Sequence, residues 1–439
     1  MAWQGALVLL MGTLLVLMAF GLPVAFAFLG VNILGAFVFL GGEIGLSQLA
    51  RNAVAALTSF TLSPIPLFLL MGEILFHSGV ALKAIDAVER LIARVPGRLS
   101  VVSIVGGTVF ASLSGSTIAN TAVLGNLLLP DMLRRGYHPS IAMGPIMATG
   151  GIAMLIPPSA LAVLLGSLAG ISISGLLIAG IVPGVIMSLL FVGYVIGRCA
   201  LDRSLAPAGD DAPRTEGGRW RPFLIYVLPL FGIFAVVVGS IFAGWATPTE
   251  SAALGCVASA AAAAGYRALT WRGLMTAVRE TAKISTMILF IIVASVTYAQ
   301  ILAFSGATDG LLRLIEGFGL GPLLLLVVML LVLLMLGCFM DQVSMVLITL
   351  PFFIPLAQAN HIDLLWLGVL MLIAMEISFT TPPFGLLVFV MKGVAPPTIT
   401  IRQVYAAALP FIGLEALVLA MLVAWPKLAV WLPSAILNR

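Results

Sequence analysis

Charge is what this 439-residue chain has least of: Asp, Glu, Lys and Arg make up 9% of it, against 62% hydrophobic residues. Soluble domains carry roughly 25% charged residues, so these figures exclude a water-soluble fold and make a bilayer the solvent. Cysteine and histidine are nearly as scarce, at three each. Cys199, Cys256 and Cys338 are far apart and form no CxxC, which argues against a disulfide framework or a zinc site and for small apolar fillers. His77, His138 and His361 fall near predicted helix ends, where a ring ordinarily reaches the interface and coordinates nothing. There is no HExxH, GxSG or paired aspartate motif, so an intramembrane protease, or any enzyme, is not expected. The lack of GxxxxGK[ST] means that ATP does not drive anything from within this chain. Ten-residue alternating strands are missing too, which excludes an outer-membrane barrel. No basic n-region or small-residue cleavage site opens the chain, so the first helix is retained rather than removed as a signal peptide. The net charge of +4 reads as topogenic Lys and Arg in loops, not as a nucleic-acid footprint.

What is present is apolar length. A helical crossing needs ~20 apolar residues, and such stretches occur at about 4–20, 22–41, 62–77, 140–170, 175–197, 223–244, 250–266, 285–304, 362–390 and 405–425. Amphipathic pieces at about 46–60, 80–95, 268–283 and 308–318 are expected to lie in the interface as arms.

The chain also repeats itself. Pro157-Pro158 answers Pro382-Pro383, Pro23 answers Pro248 and Pro130 answers Pro355, all at one and the same interval. Gly30 and Gly255 keep that interval, and Ser78-Gly79 and Ser305-Gly306 keep it within two residues. Two copies of one unit are therefore expected, with breaks in matched places. The first copy is read over 1–200 (frame helices 1–62, transport part 63–198). A cytoplasmic linker follows over 201–222, and the second copy runs over 223–439 (frame 223–284, transport part 285–430). Two segments, 99–135 and about 320–357, are apolar but interrupted by polar and glycine residues, at Ser112 to Asn120 and at Gly337 to Gln342. Such an interruption at membrane depth must line a cavity or be buried in protein, which predicts two re-entrant hairpins. With the N-terminus outside and five crossings per copy, 17 of the 21 Lys and Arg residues fall on the cytoplasmic side. An odd number of crossings turns the second copy upside down. The expected fold is an all-α polytopic membrane protein with two inverted-topology repeats and about 10–12 transmembrane helices. The two hairpins and the amphipathic arms complete it.

The chemistry then has an address near the midplane, between broken helices. Half-helix N-termini offer N–H groups to an anion, and the carbonyls freed by proline suit a cation. Candidate sodium ligands are Ser114, Gly115, Asn120, Ile156 and Pro157 at the first hairpin and break. At the second they are Gly337, Asp341, Gln342 and Thr380. Ser116, Thr117, Asn120, Thr380 and Thr381 are the candidates to hold a substrate. Asp341 is a carboxylate in an apolar stretch, which favours function over packing. Glu376 lies four residues before the second break, and Glu73 stands in another apolar run where a basic neighbour is equally plausible. The doublets Gly106-Gly107 and Gly150-Gly151 also fit plain small-residue packing faces.

Ser114 to Asn120, Leu129-Pro130-Asp131-Met132 with Arg135-Gly136-Tyr137, Leu155 to Ser159 and Ala179 to Gly184 together resemble the large membrane subunit of a tripartite ATP-independent periplasmic (TRAP) transporter. Gly337 to Asp341, the 351–355 segment, Thr380 to Gly385 and Phe389-Val390 extend the resemblance over nearly the whole chain. It implies an elevator-type transporter of the ion-transporter superfamily, a sodium gradient as the driving force, and sodium sites at the hairpins and the breaks after them. It also implies an inner-membrane location with a periplasmic N-terminus, a small four-helix membrane subunit, and a periplasmic solute-binding protein that delivers an organic anion. The small subunit is expected as a separate polypeptide. Many relatives carry glycine where Glu376 falls. A stand-alone sodium–dicarboxylate carrier of the same superfamily is the alternative, and neither nucleic acid nor an organic cofactor is expected.

Overall fold

The computed structural model describes residues 2–92, 95–114, 117–207, 220–337, 339–382 and 385–437. Among them every regular element is helical. The first half comprises α1 (Trp3–Ala19), α2 (Val24–Phe39), α3 (Glu43–Leu57), a short 3-10 turn, α4 (Pro64–His77) and α5 (Val80–Leu91). It continues with α6 (Arg98–Ser114), α7 (Thr117–Arg134), α8 (Pro139–Leu155), α9 (Ala160–Ala169), α10 (Ile173–Ala179) and α11 (Ile181–Leu201). The second half opens with a rod from Trp220 to Phe242 formed by α12 (Trp220–Pro222), a π turn and α13 (Leu228–Phe242). Then come α14 (Pro248–Gly265), α15 (Trp271–Phe304), α16 (Ala307–Gly317) and α17 (Pro322–Leu336). The chain closes with α18 (Gln342–Ala359), α19 (Leu364–Thr380), α20 (Leu386–Val394), α21 (Ile401–Ala424) and α22 (Lys427–Leu437).

The interval that separates the proline pairs also carries α7 onto α18 and α8 onto α19, end for end. The turns between them match as well. Gly136, at φ +83°, answers His361, at φ +54°, and the helix N-caps that follow are His138 and Asp363. His361 thus occupies a left-handed backbone position that glycine fills in the other copy. The packing exchanges partners in the same way: α2 packs on α15 while α14 packs on α4, and α5 meets the start of the α13 rod while α16 meets α1. Polar links join the copies. Asn32 Nδ2 donates to the Ala294 carbonyl at 2.5 Å, and Asn52 Nδ2 to Gln300 Oε1 at 2.6 Å. In an apolar medium such bonds, together with close helix packing, replace the hydrophobic drive.

The copies differ at one element. The piece read as a separate amphipathic arm at 268–283 is the first half of α15, a continuous 34-residue helix. Its counterpart is divided into α3 and α4 because Pro64 and Pro66 stop the ladder there, whereas positions 289 and 291 are Leu and Ile. The helix α22 was not expected; it packs on α10, α11, α19 and α21. The arm α5 does form, with Ala84, Ile85, Ala87 and Val88 buried on one face, and Ile85 packs on Gly106 of α6.

Among the described residues six helices are long and apolar enough to cross a bilayer, or seven if the bent α8–α9 pair is one span. Further apolar helices, α1, α2, α17 and α19 among them, have 15–17 residues, about 22–26 Å at 1.5 Å per residue. At the centre stand α8 and α19. From Ile141 to Leu155 and from Leu367 to Thr380 every residue is buried, as for a helix enclosed on all sides.

Candidate functional site

Both interrupted segments are hairpins. Helix α6 stops at Ser114 and α7 starts at Thr117; Gly107 packs on Leu124, eight residues to either side of the break, so the two arms run antiparallel. Gly115 and Ser116 lie outside the described residues, as does the side chain of Ser114. In the second copy α17 ends at Leu336 and α18 starts at Gln342, and the two helices pack together. Neither segment is an unbroken rod.

The helix that follows each hairpin is broken as expected. After Leu155 the chain passes through Ile156, Pro157 and Pro158 and resumes at Ala160, bent by 41°. Proline has no N–H to continue the ladder, and Ser159 restarts it by accepting from Ala162 N at 3.2 Å. Among the described residues no donor reaches the carbonyls of Ile156 or Pro157, which leaves both as acceptors. In the second copy α19 ends at Thr380. Thr380 Oγ1 donates to the Ile377 carbonyl at 3.0 Å and Thr381 Oγ1 to the same oxygen at 2.5 Å. Pro383 and Phe384 lie outside the described residues; Gly385 begins the next turn, where a Cβ would meet the Thr380 backbone at 2.8 Å.

The two hairpins meet across α8. A Cβ on Gly150 would fall 2.3 Å from Thr117 Cγ2 and 3.2 Å from Glu376 Oε1, so this glycine receives the first hairpin tip and the carboxylate of α19 together. Thr117 Oγ1 lies 3.4 Å from the Gly150 carbonyl. Next to it Asn120 Nδ2 donates to Thr149 Oγ1 at 3.0 Å, with Asn120 fully buried. On the other side Gln342 Nε2 donates to Glu376 Oε2 at 3.2 Å. Thr117 and Gln342 stand one repeat interval apart, so equivalent first residues of α7 and α18 flank the same carboxylate. Gly337 packs on Ser378, whose Oγ lies 1.9 Å from where a Cβ at 337 would be. The second hairpin is thereby pressed onto the last turn of α19.

The structure therefore gathers Thr117, Asn120, Gln342 and Glu376 around Gly150, and brings Gly337 to α19 near Thr380. It gives two candidates plain structural partners. Asp341 is the N-cap of α18: its carboxylate accepts from Ser344 N at 3.2 Å and from Ser344 Oγ. Glu73 faces His77, one turn on, at 3.2 Å. The diglycines are packing faces as well, and at 150–151 the packed groups are the functional candidates themselves.

Glu415 was missed. It sits on α21, almost fully buried, with Oε1 3.1 Å from where a Cβ on Gly151 would lie. Its sequence signal was a single carboxylate within an apolar 24-residue helix, with no Lys or Arg within a turn of it.

Comparison with known proteins agrees with this architecture. The family model described as "Tripartite ATP-independent periplasmic transporter, DctM component" matches residues 11–428. The chain is 32% identical, over 85% of its length and 86% of the relative's, to the C4-dicarboxylate TRAP transporter large permease protein of Pseudomonas aeruginosa. It is 31% identical, over 89% and 90%, to the 2,3-diketo-L-gulonate TRAP transporter large permease protein of Escherichia coli. Among solved structures it resembles the Alcanivorax borkumensis YdaH transporter, with a TM-score of 0.61, 16% identity, and coverage of 89% and 90%; that likeness concerns the fold.

Proposed function

Because this chain belongs to the DctM component family of tripartite ATP-independent periplasmic transporters, and so is a multi-pass membrane transport subunit and not an enzyme, we propose that it couples sodium entry to the uptake of an organic anion across the bacterial inner membrane. A small four-helix membrane subunit and a periplasmic solute-binding protein that delivers the anion complete the system. The N-terminus is then periplasmic.

One observation carries this reading: Thr117 and Gln342, equivalent residues at the starts of α7 and α18, converge on one buried place beside Gly150. Each hairpin tip is a helix N-terminus, whose N–H groups and dipole favour an anion. Each lies beside the end of a helix, at Leu155 and at Thr380, and after Leu155 the carbonyls of Ile156 and Pro157 are acceptors for a cation. The carried acid is held by the tips through Ser116, Thr117, Asn120, Thr380 and Thr381. Sodium is held by Ser114, Gly115, Asn120, Ile156 and Pro157 on one side and by Gly337, Asp341, Gln342 and Thr380 on the other. Asp341 keeps free lone pairs toward an ion while it caps α18, since a carboxylate accepts several bonds. Sodium beside an anion site raises the affinity for the anion, and the anion raises that for sodium by the same factor. The hairpins with α8 to α11 and α19 to α21 form the moving unit. The frame consists of α1, α2, α13 and α14 with the arms, and α15 runs between the two.

The substrate class rests on the family and on relatives named for C4-dicarboxylate and 2,3-diketo-L-gulonate. The test is uptake into proteoliposomes that contain both membrane subunits, using the radiolabelled acid that the binding protein captures. Uptake that requires an inward sodium gradient and the binding protein together is expected. Equal uptake in potassium overturns sodium coupling, and uptake without the binding protein makes the chain a stand-alone carrier.

A further inference from the structure

Two acidic side chains lie in the middle of the helix bundle. Glu376 on α19 and Glu415 on α21 are each 1% exposed. A Cβ on Gly151 would stand 3.4 Å from Glu376 Cδ and 3.1 Å from Glu415 Oε1, so both carboxyl groups surround one point beside α8. Glu376 Oε1 and Glu415 Oε2 have no hydrogen-bond partner among the described residues. Nor does any Lys, Arg or His form an ion pair with either carboxyl there.

A further buried polar group lies one residue away along α8. Asn120, on α7, binds Thr149 through its amide nitrogen, directly before Gly150. Its Oδ1 is fully buried and without a partner among the described residues. Two elements thus bring unsatisfied carboxylate oxygens to the glycine doublet of α8, and a third, α7, brings an unsatisfied amide oxygen to the residue before it. In a closed, water-poor interior an orphan carboxylate is strongly unfavourable, and two side by side more so. A proton or a cation that takes oxygen ligands relieves such a pair. Calcium needs six to eight oxygens and magnesium keeps several waters, more than this closed place supplies. Of the metal cations, an alkali ion is left. The negative charge that one such ion leaves over is offset by the Gln342 donor and by the N-terminal end of α18, which begins at that residue.

We propose that Glu376 and Glu415 together hold one sodium ion against Gly150-Gly151, in addition to the ions at the hairpin tips. The site sits within the unit that moves, between α8, α19 and α21. Filled, it lowers the negative charge at the centre of that unit; empty, it leaves two carboxylates unpaired inside the helix bundle and opposes the crossing. Sodium at this position therefore gates movement rather than substrate binding. The inference rests on the sodium coupling proposed above.

The experiment is direct 22Na+ binding to the purified two-subunit membrane complex in nanodiscs, without substrate. Glu376→Gln and Glu415→Gln are each expected to bind one ion fewer than the unchanged complex, and Glu415→Asp to keep the number with weaker affinity. An unchanged number in both Gln variants overturns the site while leaving sodium coupling intact. No sodium binding by the unchanged complex overturns coupling itself, and the site with it. Infrared difference spectra of the unchanged complex, sodium minus choline, do not depend on variants that fold. A carboxylate band that shifts with sodium supports the site. A protonated-carboxyl band that persists in saturating sodium shows a proton there instead and overturns it.

Discussion

Glu376 fills the space that a side chain at its own repeat-mate, Gly151, would need: its Cγ lies 2.6 Å from where a Cβ on residue 151 would fall. The two positions correspond in the two copies, one on α8 and the other on α19. At the centre of a duplicated molecule equivalent residues face one another, and there is room for one side chain and not two. This chain places a carboxylate there and glycine opposite it.

Gly151→Ala is therefore expected to lower the melting temperature of the purified complex, by overpacking of about 1–3 kcal/mol. The further change Glu376→Ala in the same protein should restore most of the loss. A double-mutant cycle on thermal unfolding measures this; additive effects would mean that the two residues do not share the space.

At Asp341 the cap and the candidate ion ligand are separable. Asn caps a helix about as well as Asp, while Ala loses about 1 kcal/mol. Asp341→Asn should thus melt like the unchanged protein, and Asp341→Ala lower. If Asp341 also binds sodium, the Asn variant needs a higher sodium concentration for half-maximal uptake; an unchanged sodium curve would leave it a cap alone.

Gly337 has no room for a methyl group against Ser378. Gly337→Ala should displace the second hairpin from α19 and abolish uptake while leaving the protein in the membrane. Ser378→Gly in addition should recover part of the activity, since it removes both atoms in conflict. No recovery would place the cause elsewhere in the hairpin.

Much of the fold was legible because the breaks are written in proline and glycine, which act on the backbone wherever they occur. Pro157-Pro158 and Pro130 carried the repeat interval, and α7 and α18 keep it at both ends. The continuity of α15 was harder to read. A change from amphipathic to apolar composition near residue 284 looks like a boundary, yet no proline or glycine there stops the ladder. Of the site, Thr117, Asn120, Gln342 and Glu376 were readable as polar groups at breaks or in apolar runs. That they converge on Gly150 was not, because distances between copies are set by packing and not by spacing. Asp341, three residues before Ser344, is also an N-cap pattern, and Glu73 with His77 an i,i+4 pair. For both, the local partner was visible in the sequence.

The inversion of the two copies is tested most directly by the sidedness of equivalent turns. With Cys199, Cys256 and Cys338 replaced, a single cysteine is placed at Arg134, at the end of α7, or at Asn360, just after α18. Each is then exposed in whole cells and in inside-out vesicles to a membrane-impermeant thiol reagent. Labelling of position 134 only in inside-out vesicles, and of position 360 only in whole cells, is the predicted result. Labelling of both from the same side would contradict it.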